Sequence, residues 1–398
     1  MKRIVFLAEN VTLAQVVRSV ALGASLDRSK FEVHFGCASF EPMVFDGTPF
    51  VRHAIESAPR ADVERAVAEG KRAYDEATLR RYVEAELALF RAVRPDVVVA
   101  DLRFSTSTSA AVFGVPFVNL INGYWSPSAK LSHFPVPEHP IVRRVGLAVA
   151  ERFFPIAMPQ VFAHFARPVN AIRKRYGLSE LGSLREMITY GDRVAFPDVP
   201  SLVPVEPLPA NARYLGPVLW SPALPAPDFL SRVRDAGRPV AYVTMGSSGA
   251  IDALPLAVEG LKQAGFTVIV STAGRVDHAR IEGPQVFAAS MLPGQLAARA
   301  SDLVVSSGGA STAHQALAEG KPVLAVPFNL DQYLSTTSLV DAGVALSVRS
   351  GHASPGAIAA AASRLLAEPT FSRRAREVAV EMASYDANSR FASLLAEL

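Results

Sequence analysis

The residues whose types and spacing are best suited to chemistry lie between Ser306 and Gln332, in the sequence SSGGASTAHQALAEGKPVLAVPFNLDQ. Two consecutive glycines, followed by the hydroxyls of Ser311 and Thr312, predict a tight turn and a capped helix over about 313–319. The unpaired N–H groups and the dipole at the start of such a helix attract an anion. This part of the chain therefore predicts a phosphate site.

Apolar runs on both sides of this turn predict the strands that position it. The run 303–305 comes directly before the turn, and the run 323–326 follows the helix. Asp331 and Gln332 come shortly after the second run. Because open α/β sheets bind ligands at the carboxyl ends of their strands, we expect both side chains beside the same ligand.

This segment resembles the donor-sugar signature of the UDP-glycosyltransferase-like superfamily, whose members use nucleotide sugars and have the two-domain GT-B fold. The matching positions are Gly308, Gly309, Thr312, Ala316, Leu317, Gly320, Pro322, Leu324, Pro327, Asp331 and Gln332. Two positions depart from the signature. Ser307 stands where the family usually has a phosphate-binding His, and Gln315 stands where it often has a ribose-binding Glu. The resemblance covers nearly the whole chain and is strongest over 303–332.

The resemblance implies a donor site built from several segments. The loop 246–249 is expected to face the turn 307–312 and to contact the diphosphate or the sugar, while 289–296 flanks the base. Gln315 is left to bind the ribose through its amide, and the missing carboxylate leaves the nucleotide open between UDP and dTDP. The implied donor-binding residues are Gly246, Ser247, Ser248, Met291, Leu292, Ser307, Gly308, Gly309, Ser311, Thr312, Gln315, Asp331 and Gln332.

The resemblance also implies a base and its partner. In inverting members of the superfamily, a His near the start of the first helix deprotonates the acceptor, and an Asp at a later strand end pairs with it. Asp101, which ends the run PDVVVAD, matches that Asp, whereas Gln15 occupies the His position and cannot accept a proton at neutral pH. Three interpretations stay open: Asp101 is the base while Gln15 orients the acceptor, Glu9 or His133 substitutes, or the chain binds ligand with lost or weakened activity.

The most aromatic part of the chain, residues 122–166, predicts a pocket for an apolar acceptor. The expected acceptor-binding residues are Glu9, Asn10, Tyr124, Trp125, His133 and Phe134. Basic runs at 143–144 and 173–175 flank this stretch. A lipid acceptor at a membrane surface is therefore an alternative, although a solvated helix face is the simpler interpretation of those charges.

The elements that carry these residues predict an α/β protein with two Rossmann-like, doubly wound parallel-sheet domains facing a cleft. In the first half, strand-like runs alternate with helical patterns, and residues 60–93 predict one long helix. The proline-rich stretch 200–228 predicts a linker. We expect an acceptor domain over 1–217, a linker over 218–236 and a donor domain over 237–379. The last helix, about 380–398, is expected to pack back on the first domain.

Composition fits a large folded enzyme and disfavours other classes. The 398 residues are 50% hydrophobic and 19% charged, with a net charge of +3 and no basic stripe of the kind that nucleic acid needs. No apolar run reaches the ~18 residues of a membrane helix. The one cysteine, Cys37, follows a strand-like run and is expected in the core, which fits a reducing cytoplasm.

The sequence thus predicts a cytoplasmic, inverting glycosyltransferase that moves a sugar from UDP or dTDP to a hydroxyl of an apolar small molecule. The nucleotide sugar is a substrate, so no cofactor is expected. No metal is expected either, because N–H groups and a helix dipole hold the diphosphate. A catalytically impaired ligand-binding protein is the alternative, and a sugar-nucleotide 2-epimerase is disfavoured because Asp331 is the only acidic residue found at the sugar site. The oligomeric state is not predicted.

Overall fold

The computed structural model describes residues 1–235, 237–277, 281 and 283–398, without the side chain of Arg143. The basic run at 143–144 therefore lies partly outside the described residues. Two parallel sheets with helices on both faces make up the described chain, which confirms the predicted α/β class.

The first sheet belongs to the N-terminal half, and its strand pairs in the described residues are parallel. Its strands are β1 (Lys2–Ala8), β2 (Phe31–Cys37), β3 (Val51–Ala54), β4 (Val97–Asp101), β5 (Phe117–Leu120), β6 (Arg193–Phe196) and β7 (Ala212–Tyr214). Their order is β3-β2-β1-β4-β5-β6-β7. Because the winding reverses between β1 and β4, a crevice is expected at the carboxyl ends of these two strands.

The second sheet repeats this arrangement. Its strands are β8 (Val240–Thr244), β9 (Thr267–Ser271), β10 (Val286–Ala289), β11 (Leu303–Ser306), β12 (Val323–Ala325) and β13 (Ala345–Ser347). Over the described residues their order is β10-β9-β8-β11-β12-β13. The reversal therefore falls between β8 and β11, whose carboxyl ends precede the two predicted donor loops.

Helices connect the strands and cover the sheets. Those of the first half are α1 (Leu13–Ala24), α2 (Pro42–Phe45), α3 (Arg60–Ala68), α4 (Glu76–Val93), α5 (Thr106–Phe113), α6 (Pro140–Val145), α7 (Leu147–Arg175) and α8 (Leu184–Ile188). Those of the second half are α9 (Ala253–Gln263), α10 (Gly294–Ala300), α11 (Ala310–Ala318), α12 (Leu330–Asp341), α13 (Pro355–Ala367), α14 (Pro369–Ala383) and α15 (Ala387–Ala396).

The central strands are buried on both faces, as their sequences require. Every residue of β4, VVVAD, is buried. Along β1, Val5 and Leu7 face one hydrophobic core, while Ile4 and Phe6 face the other. Continuous apolar runs of this kind are typical of parallel strands covered by helices on both sides.

The chain crosses between the two halves twice, and the two crossings lie beside each other. The last helix, α15, packs on the first sheet, where the rings of Phe391 and Phe6 lie 5.9 Å apart. The preceding helix, α14, packs instead on α11 in the second half. The chain thus returns to the first half near Tyr385, whose side chain fills the space beside Gly216 where a Cβ would lie. The expected domain limits themselves stay a prediction.

Three expected local structures differ from those observed. The predicted single helix over 60–93 is divided into α3 and α4, because Gly70 has a φ of +65° and Asp75 caps α4 by accepting from the Thr78 N–H. Ser311 and Thr312 lie inside the first turn of α11, because the N-cap is Gly309. Asp331 and Gln332 likewise lie inside the first turn of α12.

Cys37 lies in the core, and its burial raises the pKa of the thiol to about 12. A thiol in such surroundings is inert. Among the described helices, none combines the length and the apolar character needed to cross a bilayer.

Candidate active site between the two sheets

The predicted phosphate turn follows β11 and opens α11. Gly308 has a φ of +76°, and a Cβ there would collide with Thr336 Oγ1 and lie 3.1 Å from the Ala325 Cβ. The position therefore requires glycine for both backbone conformation and space. Behind it, α11 begins with N–H groups that have no partner within the helix, which is the arrangement that binds anions.

The loop 246–249 lies directly beside this turn, as expected. β8 and β11 are hydrogen-bonded neighbours, and a Cβ on Gly249 would lie 2.7 Å from the Ser307 Cβ. The Gln332 side chain joins the two segments, because its Nε2 donates to the Ser248 carbonyl over 3.4 Å. Three predicted donor segments therefore meet at one point on the carboxyl edge of the second sheet.

Two arginines that the sequence analysis missed contact the same loop. Arg275 Nη1 donates to the carbonyls of Gly246 and Gly249 over 3.2 and 3.0 Å. Arg60, from α3 of the first half, donates to the Ser247 carbonyl. Leu13 also reaches this loop, since its N–H donates to Ser247 Oγ over 3.3 Å. Two guanidinium groups therefore lie against the loop, although Arg60 also pairs with Glu64, and the loop contacts both halves of the molecule.

The segment predicted to hold the base and ribose lies against the linker. Gln315 donates from its Nε2 to the Trp220 carbonyl, and its Oε1 lies beside Gly294 at the start of α10. Leu292 is buried, and Met291 is partly exposed. Both ends of the Gln315 amide thus contact protein groups. In this respect Gln315 differs from the free ribose-binding carboxylate that is usual at this position.

Asp331 joins the predicted sugar site to the predicted acceptor site. Its Oδ1 accepts from the Tyr124 hydroxyl over 3.0 Å and from Trp125 Nε1 over 2.8 Å. Burial raises the pKa of Asp331, and the two hydrogen bonds oppose that rise. Residues assigned separately to donor and acceptor are therefore in direct contact across the two halves.

Asp101 pairs with Arg18 of α1. Arg18 Nε and Nη2 donate to the two carboxylate oxygens over 3.0 and 2.9 Å, and Arg18 Nη1 donates to Asn122 Oδ1 over 2.6 Å. Burial raises the pKa of Asp101 to about 6, although Arg18 favours the charged form. Both oxygens of Asp101 are thus held by a guanidinium.

The polar network continues from Asn122 into the second half. Asn122 Nδ2 donates to Asp198 Oδ1 over 3.0 Å, and the same oxygen lies 3.4 Å from His314 Nε2 of α11. Asp198 Oδ2 accepts from the Gly123 N–H over 2.7 Å. These contacts fix the loop that carries Tyr124 and Trp125 against α11.

Gln15 takes part in helix capping. Its Oε1 accepts from the Thr12 N–H over 3.2 Å, in a capping box that opens α1. An amide used in this way satisfies a backbone donor that has no intrahelical partner.

Glu9, one of the alternative bases, lies directly after β1 and is buried. Its Oε1 accepts from the Tyr82 hydroxyl over 3.2 Å, and its Oε2 accepts from Arg103 Nη1 over 3.1 Å. Burial raises the pKa of Glu9 to about 7, and Arg103 only partly offsets the rise. A carboxylate with this pKa suits general-base catalysis near neutral pH.

The remaining acceptor residues are divided between the cleft and the surface. His133 is exposed and contacts the Ser132 hydroxyl through Nδ1 over 3.0 Å. Asn10 donates to Ser39 Oγ over 2.6 Å. Phe134 packs inward, with its ring 5.4 Å from that of Phe162. His133 is therefore the least enclosed of the alternative bases.

The residues that the sequence analysis missed are mostly charged partners from distant segments. They are Arg18, Arg60, Arg103, Asn122, Asp198, Arg275 and His314. Arg275 could have been noticed, because it follows β9 at the same sheet edge as the donor loops. The others carry no local motif that distinguishes them from surface charges.

Comparisons with known proteins show similarity to glycosyltransferases. Residues 266–398 match the family model described as Erythromycin biosynthesis protein CIII-like, C-terminal domain. The chain is 39% identical over 379 residues to a PGL/p-HBAD biosynthesis glycosyltransferase of Mycobacterium tuberculosis (strain ATCC 25177 / H37Ra), covering 95% of this chain and 88% of that one. It is 40% identical over 379 residues to a PGL/p-HBAD biosynthesis rhamnosyltransferase of Mycobacterium bovis (strain BCG / Pasteur 1173P2), covering 95% and 84%.

Solved structures share the fold at low sequence identity. The glycosyltransferase SsfS6 of Streptomyces sp. SF2575 superposes with a TM-score of 0.71 at 18% identity, over 100% of both chains. The same enzyme complexed with thymidine diphosphate gives a TM-score of 0.68 at 19% identity, again over 100% of both chains. The two parallel sheets and the similarity to solved glycosyltransferases show the GT-B fold. Because relatives match over nearly the whole chain, the protein is a GT-B glycosyltransferase and belongs to the family of the PGL/p-HBAD biosynthesis glycosyltransferases.

Proposed function

We propose that the protein transfers a 6-deoxyhexose of the rhamnose type from dTDP to the hydroxyl of an apolar phenol, with inversion at the anomeric carbon. The observation that carries this proposal is the meeting of the loop 246–249 with the turn 307–312 at the ends of β8 and β11. Close backbone approach and a free helix start at that point suit a diphosphate.

Charge at the donor loops supports binding of the diphosphate without a metal ion. Arg275 and Arg60 bring two guanidinium groups to the carbonyls of the loop 246–249. Together with the start of α11, they replace the positive charge that the family's His supplies at the position of Ser307. EDTA is therefore expected to leave the transfer rate unchanged.

The thymidine nucleotide is proposed for two reasons. Gln315 offers an amide already bonded to the Trp220 carbonyl, which is a weaker partner for ribose hydroxyls than a free carboxylate. The SsfS6 structure holds thymidine diphosphate, and one relative that is 40% identical is named a rhamnosyltransferase. Both comparisons favour a dTDP-linked deoxyhexose over UDP-glucose.

Glu9 is proposed as the base. Both oxygens of Asp101 are held by the Arg18 guanidinium, and His133 is exposed. Glu9 pairs with Arg103 through Oε2 alone, while its Oε1 accepts from the neutral Tyr82 hydroxyl, and burial raises its pKa to about 7. Glu9 takes the proton of the acceptor hydroxyl, whose oxygen attacks the anomeric carbon opposite the diphosphate. The bond from that carbon to the diphosphate oxygen breaks, and dTDP leaves with the electron pair.

A phenol fits this base better than an alcohol does. A phenolic hydroxyl has a pKa of about 10, so proton transfer to a carboxylate with a pKa near 7 is only a few pH units uphill. The aromatic side chains of Tyr124, Trp125 and Phe134 provide apolar surface on the acceptor side of Asp331.

The test is a comparison of dTDP-rhamnose, dTDP-glucose and UDP-glucose with p-nitrophenol as acceptor. Product is measured by mass spectrometry, and its anomeric configuration by NMR coupling. We expect transfer from dTDP-rhamnose with inversion, little transfer from UDP-glucose, and loss of turnover in Glu9→Gln.

Two results would contradict the proposal. Turnover that survives in Glu9→Gln and disappears in Asp101→Asn would assign the base to Asp101. Tight binding of dTDP without turnover for any acceptor would favour the catalytically impaired alternative, which Gln15→His would then be expected to rescue.

A further inference from the structure

The outward face of α6 and the first half of α7 carries a stripe of large apolar side chains in solvent. Phe153 is 60% exposed and Ile156 is 71% exposed. The full stripe consists of Ile141, Val145, Val149, Phe153 and Ile156. Spacings of three and four residues place its α7 members on one face of the helix. Contiguous exposed apolar surface of this kind marks an interaction site.

Most of this half of α7 stands outside the hydrophobic core. Fully buried side chains of α7 occur from Phe162 to Arg173, whereas most side chains before Phe162 are exposed, and Met158 and Val161 pack only partly against the core. Pro155 and Pro159 lie in the exposed half and remove two backbone donors there. The second half of α7 packs in the core, and the first half, which carries the stripe, is left in solvent.

Positive charge borders the stripe. Arg144 and Arg152 are exposed, and Glu151 is the acidic residue between them. Among the described residues, neither arginine has a carboxylate within ion-pair distance. An apolar stripe edged by unpaired arginines complements the acyl boundary and phosphate groups of an anionic bilayer.

We propose that this surface, α6 with the first half of α7, docks on an anionic lipid bilayer and lies in its interface. A second copy of the chain fits the same surface less well. The same surface of a second copy would offer Glu151 as its neighbouring acidic group, whereas lipid phosphates would pair with both arginines. No described helix is fit to cross the bilayer, so the contact is peripheral.

The inner side of the same helix leads to the predicted acceptor residues. The Phe134 ring lies 6.2 Å from that of Phe154 and 5.4 Å from that of Phe162. Arg185 covers Phe134 at 5.6 Å and donates to the Trp125 carbonyl over 3.2 Å. If the proposed function holds, docking would place the acceptor side of the cleft beside the lipid. The docking itself does not depend on that function.

The test is co-sedimentation of the full chain with vesicles of phosphatidylcholine alone or with about 30% phosphatidylglycerol. We expect binding to the anionic vesicles and at least tenfold weaker partitioning for the double variant Phe153→Ser, Ile156→Ser. Arg144→Gln and Arg152→Gln should each weaken binding to anionic vesicles by roughly fivefold, because each removes one positive charge. Salt should weaken the binding of the wild type.

Val380→Ser is the matched control, because Val380 on α14 is 74% exposed and lies outside the stripe. It should bind vesicles like the wild type, and all variants should melt at the wild-type temperature. Absence of wild-type binding, or an equal loss in Val380→Ser, would overturn the proposal. A dimer in sedimentation velocity that Phe153→Ser, Ile156→Ser dissociates, without vesicle binding, would assign the surface to a second copy instead. Transfer to p-nitrophenol in solution tests the proposed function separately.

Discussion

The two sheets have the same winding order, but different kinds of groups line the carboxyl edges of their strands. At the second sheet, glycines shape the loops that are predicted to hold the donor, and Arg275 and the start of α11 lie beside them. At the first sheet, buried ion pairs line the corresponding edge. Asp101 pairs with Arg18, and Glu9 pairs with Arg103. A site built from backbone depends on the glycines that shape it, whereas a site of buried ion pairs depends on each charged partner.

The largest effect is expected at the base. Glu9→Gln removes the proton acceptor and should lower kcat/KM by ~10²–10⁴-fold, because this is the range for a general base. Gln15→Ala, which touches only the α1 cap, should lower kcat/KM far less. Equal losses in the two variants, measured by initial rates, would argue against a special role for Glu9.

The pH profile of the wild type sharpens the same point. Glu9 must be ionised to accept a proton, and burial raises its pKa to about 7. The logarithm of kcat/KM should therefore rise with pH below about 7 and become level above it. A midpoint near 4, or a profile that Glu9→Gln leaves unchanged, would assign the titration to another group.

A stability effect comes next. Asp101→Ala leaves the Arg18 guanidinium buried without its partner, which typically costs ~3–5 kcal/mol. Glu84→Ala breaks the exposed pair with Arg80 and should cost ~0–1 kcal/mol. Denaturant unfolding measures both, and similar losses for the two variants would contradict the distinction between buried and exposed pairs.

Glycine substitution tests the backbone character of the donor site. Gly308 and Gly114 have nearly equal φ values, +76° and +77°, but only a Cβ at Gly308 meets other atoms. Gly114→Ala should cost ~1–2 kcal/mol from the left-handed conformation alone. Gly308→Ala should cost ~1–3 kcal/mol more and weaken dTDP binding in calorimetry. Unchanged dTDP affinity would place the nucleotide elsewhere.

The smallest expected effect concerns Arg275. Arg275→Ala should weaken dTDP binding by roughly tenfold, the loss of one charge-assisted contact, and should leave thymidine binding unchanged. Arg234→Ala, an exposed arginine paired with Asp302, is the control. Equal weakening of dTDP and thymidine would show a general structural effect at Arg275.

The contrast between the two edges also explains what the sequence could predict. The donor turn was predictable because a positive φ and close packing leave a glycine signature, and the expected contact between 246–249 and 307–312 follows from strand order. The contacts of Asp101 and Glu9 could not be predicted, because their partners Arg18 and Arg103 come from distant segments and no sequence pattern marks either arginine. Helix starts were misplaced where glycine took the cap in place of the hydroxyls of Ser311 and Thr312.

The contact between Gly216 and Tyr385 has a mechanical consequence. The segment entering the second half and the segment leaving it pass each other there, so both covalent connections lie close to one point. Rotation of one half about that point stretches neither connection, while translation strains both. A rotation about this point would have to break cleft contacts such as the hydrogen bonds of Asp331 with Tyr124 and Trp125, and the displacement it produces would grow with distance from Gly216. A side chain at Gly216 would collide with Tyr385 and shift the point where the two connections cross, although the residue contacts no predicted substrate group.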